Sequence, residues 1–443
     1  MPRLIERLRN KHFLSLSGNA IMSLLSMATI AILCRVISLE AFGIWVFFQT
    51  VIVLIDTFRS GFITTGFIKF YSGVSPEKAQ DVEGSAWYIS LWITVILSII
   101  NAVALIAIPY VQNQSVIMII KWFSICFWSM LPYFIGTCIL QAEQRFDRLL
   151  VLRFITQGSF IIMVICLAIF TTITLQNLVI AYVLSFLFAD VYCILKRWIN
   201  IANIKRRTPE TVSTLYNFGK FTVGTTISAN LFRTSDTLII NFLLGPASLA
   251  VYNIGQRLME LVEIPLRSFA ATGMPELAVA YNRDKREEVI QIMKKYAGML
   301  TVVLVPVCIL GVLLADTAIA IIGGGKYVGT EAANVFRLFL TFALLYPADR
   351  FFALTLDVIH LPKINFYKVL VMLAANIIFD LLGIYIFKNV YGVAITTVIP
   401  IIIAVVVGFW ALNKYYIRFS FFSIYKYGFY SLKELINSYF KKK

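Results

Sequence analysis

Charge is scarce in this chain, and what is missing excludes several classes of protein. Asp, Glu, Lys and Arg make up 14% of the 443 residues, whereas soluble domains carry about a quarter. The 2 histidines are too far apart in sequence to have metal-ligand spacing. The 6 cysteines form no CxxC pair. The sequence therefore offers no metal site, no Ser-His-Asp set and no disulfide framework.

Apolar runs fill the chain from end to end. Hydrophobic residues account for 60% of it, and runs of about 20 apolar residues are long enough to cross a bilayer as helices. We predict an all-α integral membrane protein with about twelve spans. These predicted spans are 14–36, 43–68, 86–109, 116–140, 151–172, 176–195, 218–243, 248–274, 296–322, 332–356, 366–387 and 392–413.

The positive charge is distributed unevenly between the connections. The net charge is +16, and most of it lies in even-numbered connections such as the one that contains Lys205, Arg206 and Arg207. Such loops stay on the cytoplasmic side, so both termini are expected there, and nucleic acid is not an expected partner. The outward connections, such as GPAS, are short. We therefore expect no enzymatic site in an outer loop and no cofactor.

The two halves of the chain resemble each other. The stretch SLEAFGIWVFFQTV joins spans 1 and 2, and GPASLAVYNIGQRL joins spans 7 and 8 in a similar pattern. Six plus six spans in one orientation predict two six-helix lobes, related by a parallel pseudo-two-fold repeat around a central cavity. The predicted divisions are an N-lobe at 1–200, a cytoplasmic linker at 201–217, a C-lobe at 218–414 and a basic, aromatic cytoplasmic tail at 415–443, expected to rest on anionic lipid.

A stripe of polar residues follows one face of span 8. It falls within an arc of about 120° and consists of Asn253, Gln256, Arg257, Glu260, Glu263 and Arg267. A charge at the centre of a membrane helix costs about 2.5–3.5 kcal/mol even on permissive scales. Two interpretations stay open: an ion-pair network that locks helices together, and the wall of a transport cavity. Span 2 has a matching stripe that contains Gln49, Asp56 and Arg59.

A series of segments, in order along the chain, carries a family resemblance. They include LEAFGIWVFFQTV, RSGFITTGFIKFYSG, SDTLIINFLLGPASLAVYNIGQRL, GGGKYVGTEAANVFRLF and YGVAITTVI. In these segments the chain resembles the Wzx/RfbX-type polysaccharide flippases of the multidrug/oligosaccharidyl-lipid/polysaccharide exporter superfamily. The resemblance implies a bacterial cytoplasmic (inner) membrane protein with a cavity lined by helices 1, 2, 7 and 8.

The resemblance also implies a cargo. This would be an oligosaccharide on undecaprenyl pyrophosphate, moved from the cytoplasmic to the outer leaflet by alternating access, with other membrane proteins of polysaccharide assembly as partners. Lipid II flippases resemble this chain but carry arginines within helix 1, where this chain has only Arg35 at the outer end and Asn19 near the inner end. That difference favours a surface-polysaccharide repeat unit of the O-antigen, capsule or exopolysaccharide type.

Arginine is the side chain best suited to a pyrophosphate, because it is always charged and binds oxygens in pairs. The predicted substrate-binding residues are Arg59, Arg233, Arg257, Arg267, Asn19, Gln49, Asn253 and Gln256. The carboxylates predicted to pair with these arginines, or to carry a coupling H⁺ or Na⁺, are Asp56, Asp236, Glu260 and Glu263.

Some charged and polar residues do not decide between functions. The four arginines and four carboxylates of spans 2, 7 and 8 balance, so a multidrug or cation antiporter of the same superfamily remains the alternative. Two roles also stay open for the polar residues of spans 10 and 11, namely packing within the lobe and ion coupling. These residues are Arg337, Asp349, Arg350, Asn376 and Asp380.

Overall fold

A computed structural model describes residues 11–441 of the chain, and the side chains of residues 21–434, except Thr225, and of Asn437. The described residues form helices and no strands. The chain divides into two compact units, Met1–Thr234 and Ser235–Lys443. This division falls C-terminal to the predicted linker at 201–217.

The first unit is built from long helices with short connections. Ser38, Ser75 and Thr174 accept backbone N–H groups where three of these helices begin, as expected for N-cap residues. Its helices are α1 (Lys11–Val36), α2 (Leu39–Tyr71), α3 (Pro76–Ile106), α4 (Gln114–Ser129), α5 (Leu131–Ala142), α6 (Phe146–Phe170) and α7 (Leu175–Leu195), and the division between the units falls within α8 (Pro209–Leu243).

The first part of the predicted linker packs onto the first unit. A 3₁₀ helix at Ile201–Arg206 contacts α3. The buried carboxylate of Glu83 accepts hydrogen bonds from the backbone of Asn200 at 3.0 Å and from the Asn203 amide at 2.6 Å. A side chain at Gly84 would meet the Asn203 carbonyl at 2.1 Å, so this contact requires glycine.

The second unit repeats this helical architecture and adds a helix at its end. Its helices are α9 (Pro246–Asn282), α10 (Arg286–Leu313), α11 (Ala315–Gly323), α12 (Ala332–Ala343), α13 (Tyr346–Val358), α14 (Pro362–Phe387), α15 (Val390–Thr396), α16 (Val398–Tyr415) and α17 (Phe422–Lys441).

Each predicted span coincides with a helix or with a pair of consecutive helices. Within the described residues, 7 helices are long and apolar enough to cross a membrane, and up to 9 spans result if each of two bent pairs counts as one. The remaining three predicted spans are α1, α8 and α9. Of these, α8 and α9 carry the polar residues that the sequence places on spans 7 and 8.

The fourth span of each half is bent near its middle. Helices α4 and α5 meet at 44°, and α12 and α13 meet at 46°. Each second segment has a proline in its first turn, Pro132 and Pro347. Proline lacks the N–H group that would continue the hydrogen bonds of the preceding helix. Bends at equivalent positions of the two halves support the predicted internal repeat.

The C-terminal helix α17 packs against α10. Ile424 is buried there, and Gly298 of α10 meets Gly428 of α17. A Cβ atom at Gly428 would lie 2.1 Å from the carbonyl carbon of Gly298. The lipid contact predicted for the tail therefore concerns only the opposite face of α17, where Phe422, Phe429 and Tyr430 are exposed. Residues 442 and 443 lie outside the described residues.

We predict that Gly428→Ala destabilises the protein, because the added methyl group meets backbone rather than a side chain that can move. Overpacking of this kind costs about 1–3 kcal/mol, which should lower the melting temperature of the purified protein. Gly325→Ala is the matched control, since nothing lies within 4 Å of a Cβ at Gly325. Equal melting temperatures for the two variants would contradict the close crossing of α10 and α17.

Candidate functional site

The charged stripe of α9 forms ion pairs within its own helix. Arg257 donates to Glu260 at 2.6 Å, and Arg267 donates to Glu263 at 2.6 Å. Both pairs are partly open, with side-chain exposures of 33% and 34% for the first and 60% and 38% for the second. The pairs follow the i,i+3 and i,i+4 spacing of one helix face, so they do not connect α9 to another helix.

Such partly exposed pairs hold their arginines loosely. Exposed ion pairs contribute about 0–1 kcal/mol, so an anionic ligand can replace the glutamate at little cost. The N-terminal end of the stripe is less accessible, because Asn253 is buried. There, α9 packs against α12, with Gly255 next to Val335 and the Tyr252 ring edge-on to Phe339. The part with Arg257 and Arg267 is the part that a ligand can reach.

A second polar cluster lies buried in the second unit, and four helices, α8, α9, α14 and α15, form it. The Asn376 amide of α14 donates to Asp236 of α8 at 2.5 Å and to Asp380, one turn along α14, at 2.9 Å. The Tyr252 hydroxyl of α9 donates to Asp236 at 2.5 Å. The Thr396 hydroxyl donates to Asp380 at 3.0 Å. Both aspartates and Asn376 are buried.

This cluster contains two carboxylates and no matching positive charge. None of the ion pairs found in the described part of the chain includes Asp236 or Asp380. Two neighbouring carboxylates in a buried site cannot both stay charged without compensation. At least one of these two charges must therefore be neutralised.

The sequence predicted a role for Asp236 but left Asn376 and Asp380 unassigned. The sequence did indicate a polar site through their i,i+4 spacing within an apolar span. Two polar groups on one face of a membrane helix are costly unless they contact a partner, water or a ligand. The partner on α8, however, lies 140 residues earlier in the chain, and no local pattern reveals a contact of that range.

In the first unit, Arg59 lies in the interior. Its side chain is 0% exposed and pairs with Asp56 at 2.6 Å. The guanidinium lies 4.3 Å from the centre of the Phe127 ring and 4.9 Å from that of Phe134. One nitrogen donates to the Phe127 carbonyl, at 3.4 Å, near the bend between α4 and α5. Arg59 therefore stabilises the bent span here, and it could meet a substrate only in another conformation.

The other predicted residues differ in accessibility. Gln49 is half-buried in the first unit. Arg233 is exposed on α8 and forms no hydrogen bond or ion pair with any residue that the structure describes. Asn19 lies in α1, but its side chain is outside the described residues. Among the described residues Asp236 forms no ion pair with any of the predicted arginines and belongs instead to the buried carboxylate cluster.

Comparison with known sequences identifies a family. A family model described as "Polysaccharide biosynthesis protein" matches residues 32–331. A search of curated proteins returned no match.

Two solved structures share the fold of this chain. The inward-facing conformation of a multidrug resistance MATE family transporter of the MOP superfamily matches with a TM-score of 0.75 and 16% identity, over 89% of this chain and 94% of that chain. The lipid II flippase MurJ, in an inward closed conformation, matches with a TM-score of 0.73 and 16% identity, over 97% and 93%. These matches confirm the predicted all-α membrane fold, and the family model agrees with the predicted resemblance to proteins of polysaccharide synthesis.

The buried Arg59 pair should be structural, whereas the Arg257 pair should not. Removing one partner of a buried ion pair costs about 3–5 kcal/mol, because the other charge stays buried and uncompensated. We predict that Arg59→Ala lowers the melting temperature and the yield of folded protein, and that Asp56→Asn combined with Arg59→Met restores part of the loss. Arg257→Ala, at a partly exposed pair, is the comparison and should melt close to wild type. Equal stability of Arg59→Ala and Arg257→Ala would exclude this distinction.

Proposed function

This chain belongs to the polysaccharide biosynthesis protein family, and we propose that it flips a lipid-linked oligosaccharide across the membrane. The proposed cargo is an undecaprenyl-pyrophosphate-linked repeat unit of an O-antigen, capsule or exopolysaccharide. It moves from the cytoplasmic to the outer leaflet by alternating access, in which the substrate site opens to one side at a time. The observation that carries the proposal is the accessible arginine pair, Arg257 and Arg267, on a helix of the membrane fold.

The chemistry of the cargo matches these arginines. A pyrophosphate cannot cross hydrocarbon unaided, and guanidinium groups bind its oxygens through paired, charge-assisted hydrogen bonds. Glu260 and Glu263 would hold the arginines while the site is empty and release them to the phosphates. Gln256 and Gln49, which are half-buried, would bind sugar hydroxyl groups, and the buried Asn253 would join them only in another conformation. The fold shared with a lipid II flippase supports a lipid-linked substrate.

We place ion coupling at the buried carboxylate cluster of Asp236, Asn376, Asp380 and Thr396. Carboxylate, amide and hydroxyl oxygens are ligands for hard cations, and turning the Asn376 amide over would present its oxygen. A proton shared by the two aspartates would also remove their repulsion. Because Tyr252 joins this cluster to α9, binding of H⁺ or Na⁺ there is linked to the helix that carries the arginines.

A multidrug or cation antiporter is the second candidate, and the shared fold with a MATE family transporter is the observation that favours it. A cation exporter requires a surplus of negative charge at its site. On α9 the two accessible arginines balance the two glutamates, so the charge of this stripe does not separate the two candidates. The family to which the chain belongs favours the lipid-linked substrate.

We propose the bacterial cytoplasmic membrane as the location, with both termini in the cytoplasm. The distribution of basic residues among the connections supports this orientation. Other membrane proteins of polysaccharide assembly are the proposed partners, since they would supply or consume the lipid-linked unit.

Arg257→Ala and Arg267→Ala should each abolish export of surface polysaccharide while the amount of folded protein stays unchanged. The loss follows from removing a charged contact to the pyrophosphate, and Arg257→Lys should retain part of the activity because it keeps the charge. The assay is complementation of a strain that lacks the chain, with polysaccharide measured on the cell surface.

The control for these variants is Arg418→Ala, an exposed arginine outside the spans. If both alanine variants on α9 exported polysaccharide as well as the control does, the arginine site would be wrong. Restored drug resistance without polysaccharide export would favour the antiporter instead.

Asp380→Asn should remove the coupling of export to ion binding at the buried carboxylate cluster. A cation present at about 100 times its dissociation constant stabilises a protein by about 2.7 kcal/mol. If Na⁺ is the ion, the wild type should melt at a higher temperature in NaCl than in KCl, and Asp380→Asn should lose this difference. If H⁺ is the ion, salt should have no such effect, and the pH dependence of export should change in Asp380→Asn. Asp284→Asn, at an exposed turn, is the control, and identical behaviour of the two variants would rule out the cluster.

A further inference from the structure

Basic and aromatic side chains meet in the first unit, where α6 begins and α7 ends. The two helices pack against each other. The Arg148 guanidinium of α6 lies 5.6 Å from the centre of the Trp198 ring, just beyond α7. The Tyr192 ring meets Trp198 edge-on at 5.2 Å, and the Lys196 amine lies 5.8 Å from the centre of Tyr192. Each ring of the pair therefore carries one cation. Together with Arg197, these residues form the basic-aromatic cluster.

The backbone at the end of α7 holds this cluster in place. The Trp198 N–H donates to the Cys193 carbonyl at 2.9 Å, and the Arg197 N–H donates to the Ile194 carbonyl at 3.0 Å. These two bonds form a Schellman motif with Arg197 at its left-handed position, where φ is 55°. Glycine is usual at that position, because a side chain strains the left-handed conformation. The chain therefore keeps an exposed cation where the backbone favours glycine.

The cations of the cluster lack carboxylate partners. Across the residues that the structure describes, no ion pair includes Arg148, Lys196 or Arg197. Asp147, the sequence neighbour of Arg148, is already held by Arg145 through two hydrogen bonds of 2.9 and 3.1 Å. Three positive charges therefore stand at one surface without local compensation, which favours an anion there.

Exposed apolar stripes lead away from the cluster along both helices, and each falls within an arc of about 80°. The stripe on α7 consists of Ile180, Leu184, Leu187, Val191 and Leu195. The stripe on α6 consists of Val151, Phe154, Ile162, Ile165 and Ile169. Both helices are long and apolar enough to cross a membrane, so these stripes face acyl chains. Tyrosine, tryptophan and basic residues at the end of such stripes lie at the level of the lipid headgroups.

We propose that the basic-aromatic cluster binds the phosphate of an anionic phospholipid whose acyl chains lie along the stripes of α6 and α7. The proposed orientation of the protein places the cluster on the cytoplasmic side, where basic pockets between spans bind anionic headgroups. Arg148 would bind phosphate oxygens through paired hydrogen bonds, and Lys196 and Arg197 would add charge from the end of α7. The ligand belongs to the membrane rather than to the cargo, so this site does not depend on the proposed function.

The test measures binding of phosphatidylglycerol to the purified full chain in neutral detergent by native mass spectrometry, with phosphatidylcholine as the zwitterionic comparison. The wild type should bind phosphatidylglycerol more tightly. Arg148→Ala and Lys196→Ala should each weaken this binding about fivefold, the effect of one basic residue at an anionic membrane surface. Lys285→Ala is the matched control, because this exposed lysine lies in another basic connection and pairs with Glu288. It should bind as the wild type does.

Arg197→Gly separates binding from folding. Glycine relieves the left-handed backbone, so the melting temperature of this variant should equal or exceed that of the wild type. Its affinity for phosphatidylglycerol should nevertheless fall about fivefold, because one cation is lost. Arg197→Lys keeps the charge and should retain most of the binding. A merely structural role for this helix end predicts that Arg197→Gly binds as tightly as the wild type.

Two results would overturn the site: equal binding of phosphatidylglycerol and phosphatidylcholine by the wild type, or unchanged phosphatidylglycerol binding in Arg148→Ala, Lys196→Ala and Arg197→Gly. Inorganic pyrophosphate is the probe for the headgroup of the proposed cargo. If it displaced phosphatidylglycerol from the wild type and the three variants lost its binding as well, the cluster would be a docking point for the cargo, and the phospholipid assignment would be overturned. Variants that lose phosphatidylglycerol binding but still export polysaccharide would support a lipid site and leave the proposed function standing.

Discussion

The cost of placing charge in a membrane organises this structure. An ionised side chain among apolar helices must be paired, reach water or bind a ligand, and the chain uses each solution in a different place. Arg59 and Asp56 are paired in the interior of the first unit, between aromatic rings. Arg257 and Arg267 are paired along an accessible helix face. Asp236 and Asp380 have no basic partner among the described residues, and Arg350 has no partner there at all.

Each of these arrangements of charge fits a different role in the protein. The buried charge of Arg59, paired with Asp56, stabilises the bent span that it contacts. Accessible pairs on one helix can be exchanged for the charges of a substrate at low cost. The carboxylates without a basic partner, which we propose as the ion site, contact through Tyr252 the helix that carries the exchangeable pairs. In the proposed function this contact links binding of an ion to binding of the cargo within one unit, which is the minimum that a coupled transporter requires.

Much of this architecture could be predicted from the sequence, because spans and polar stripes are local patterns. Apolar runs located the spans, and the helical period placed Arg257, Glu260, Glu263 and Arg267 on one face. The burial of Arg59 could not be predicted, because the stripe that contains it looks like the accessible stripe of α9 until its neighbours are known. The contact of Asp236 with Asn376, and the crossing of α17 over α10 at two glycines, depend on helices distant in sequence.

Movement of the cargo across a bilayer is the proposed role of this protein. The most direct measurement is the transbilayer movement of a fluorescent undecaprenyl-pyrophosphate oligosaccharide in vesicles that contain the purified protein, followed by quenching from outside. We predict that the wild type brings the inner-leaflet lipid to the outer leaflet faster than protein-free vesicles do, and that Arg257→Ala does not. Equal rates for wild type, Arg257→Ala and protein-free vesicles would contradict the central claim.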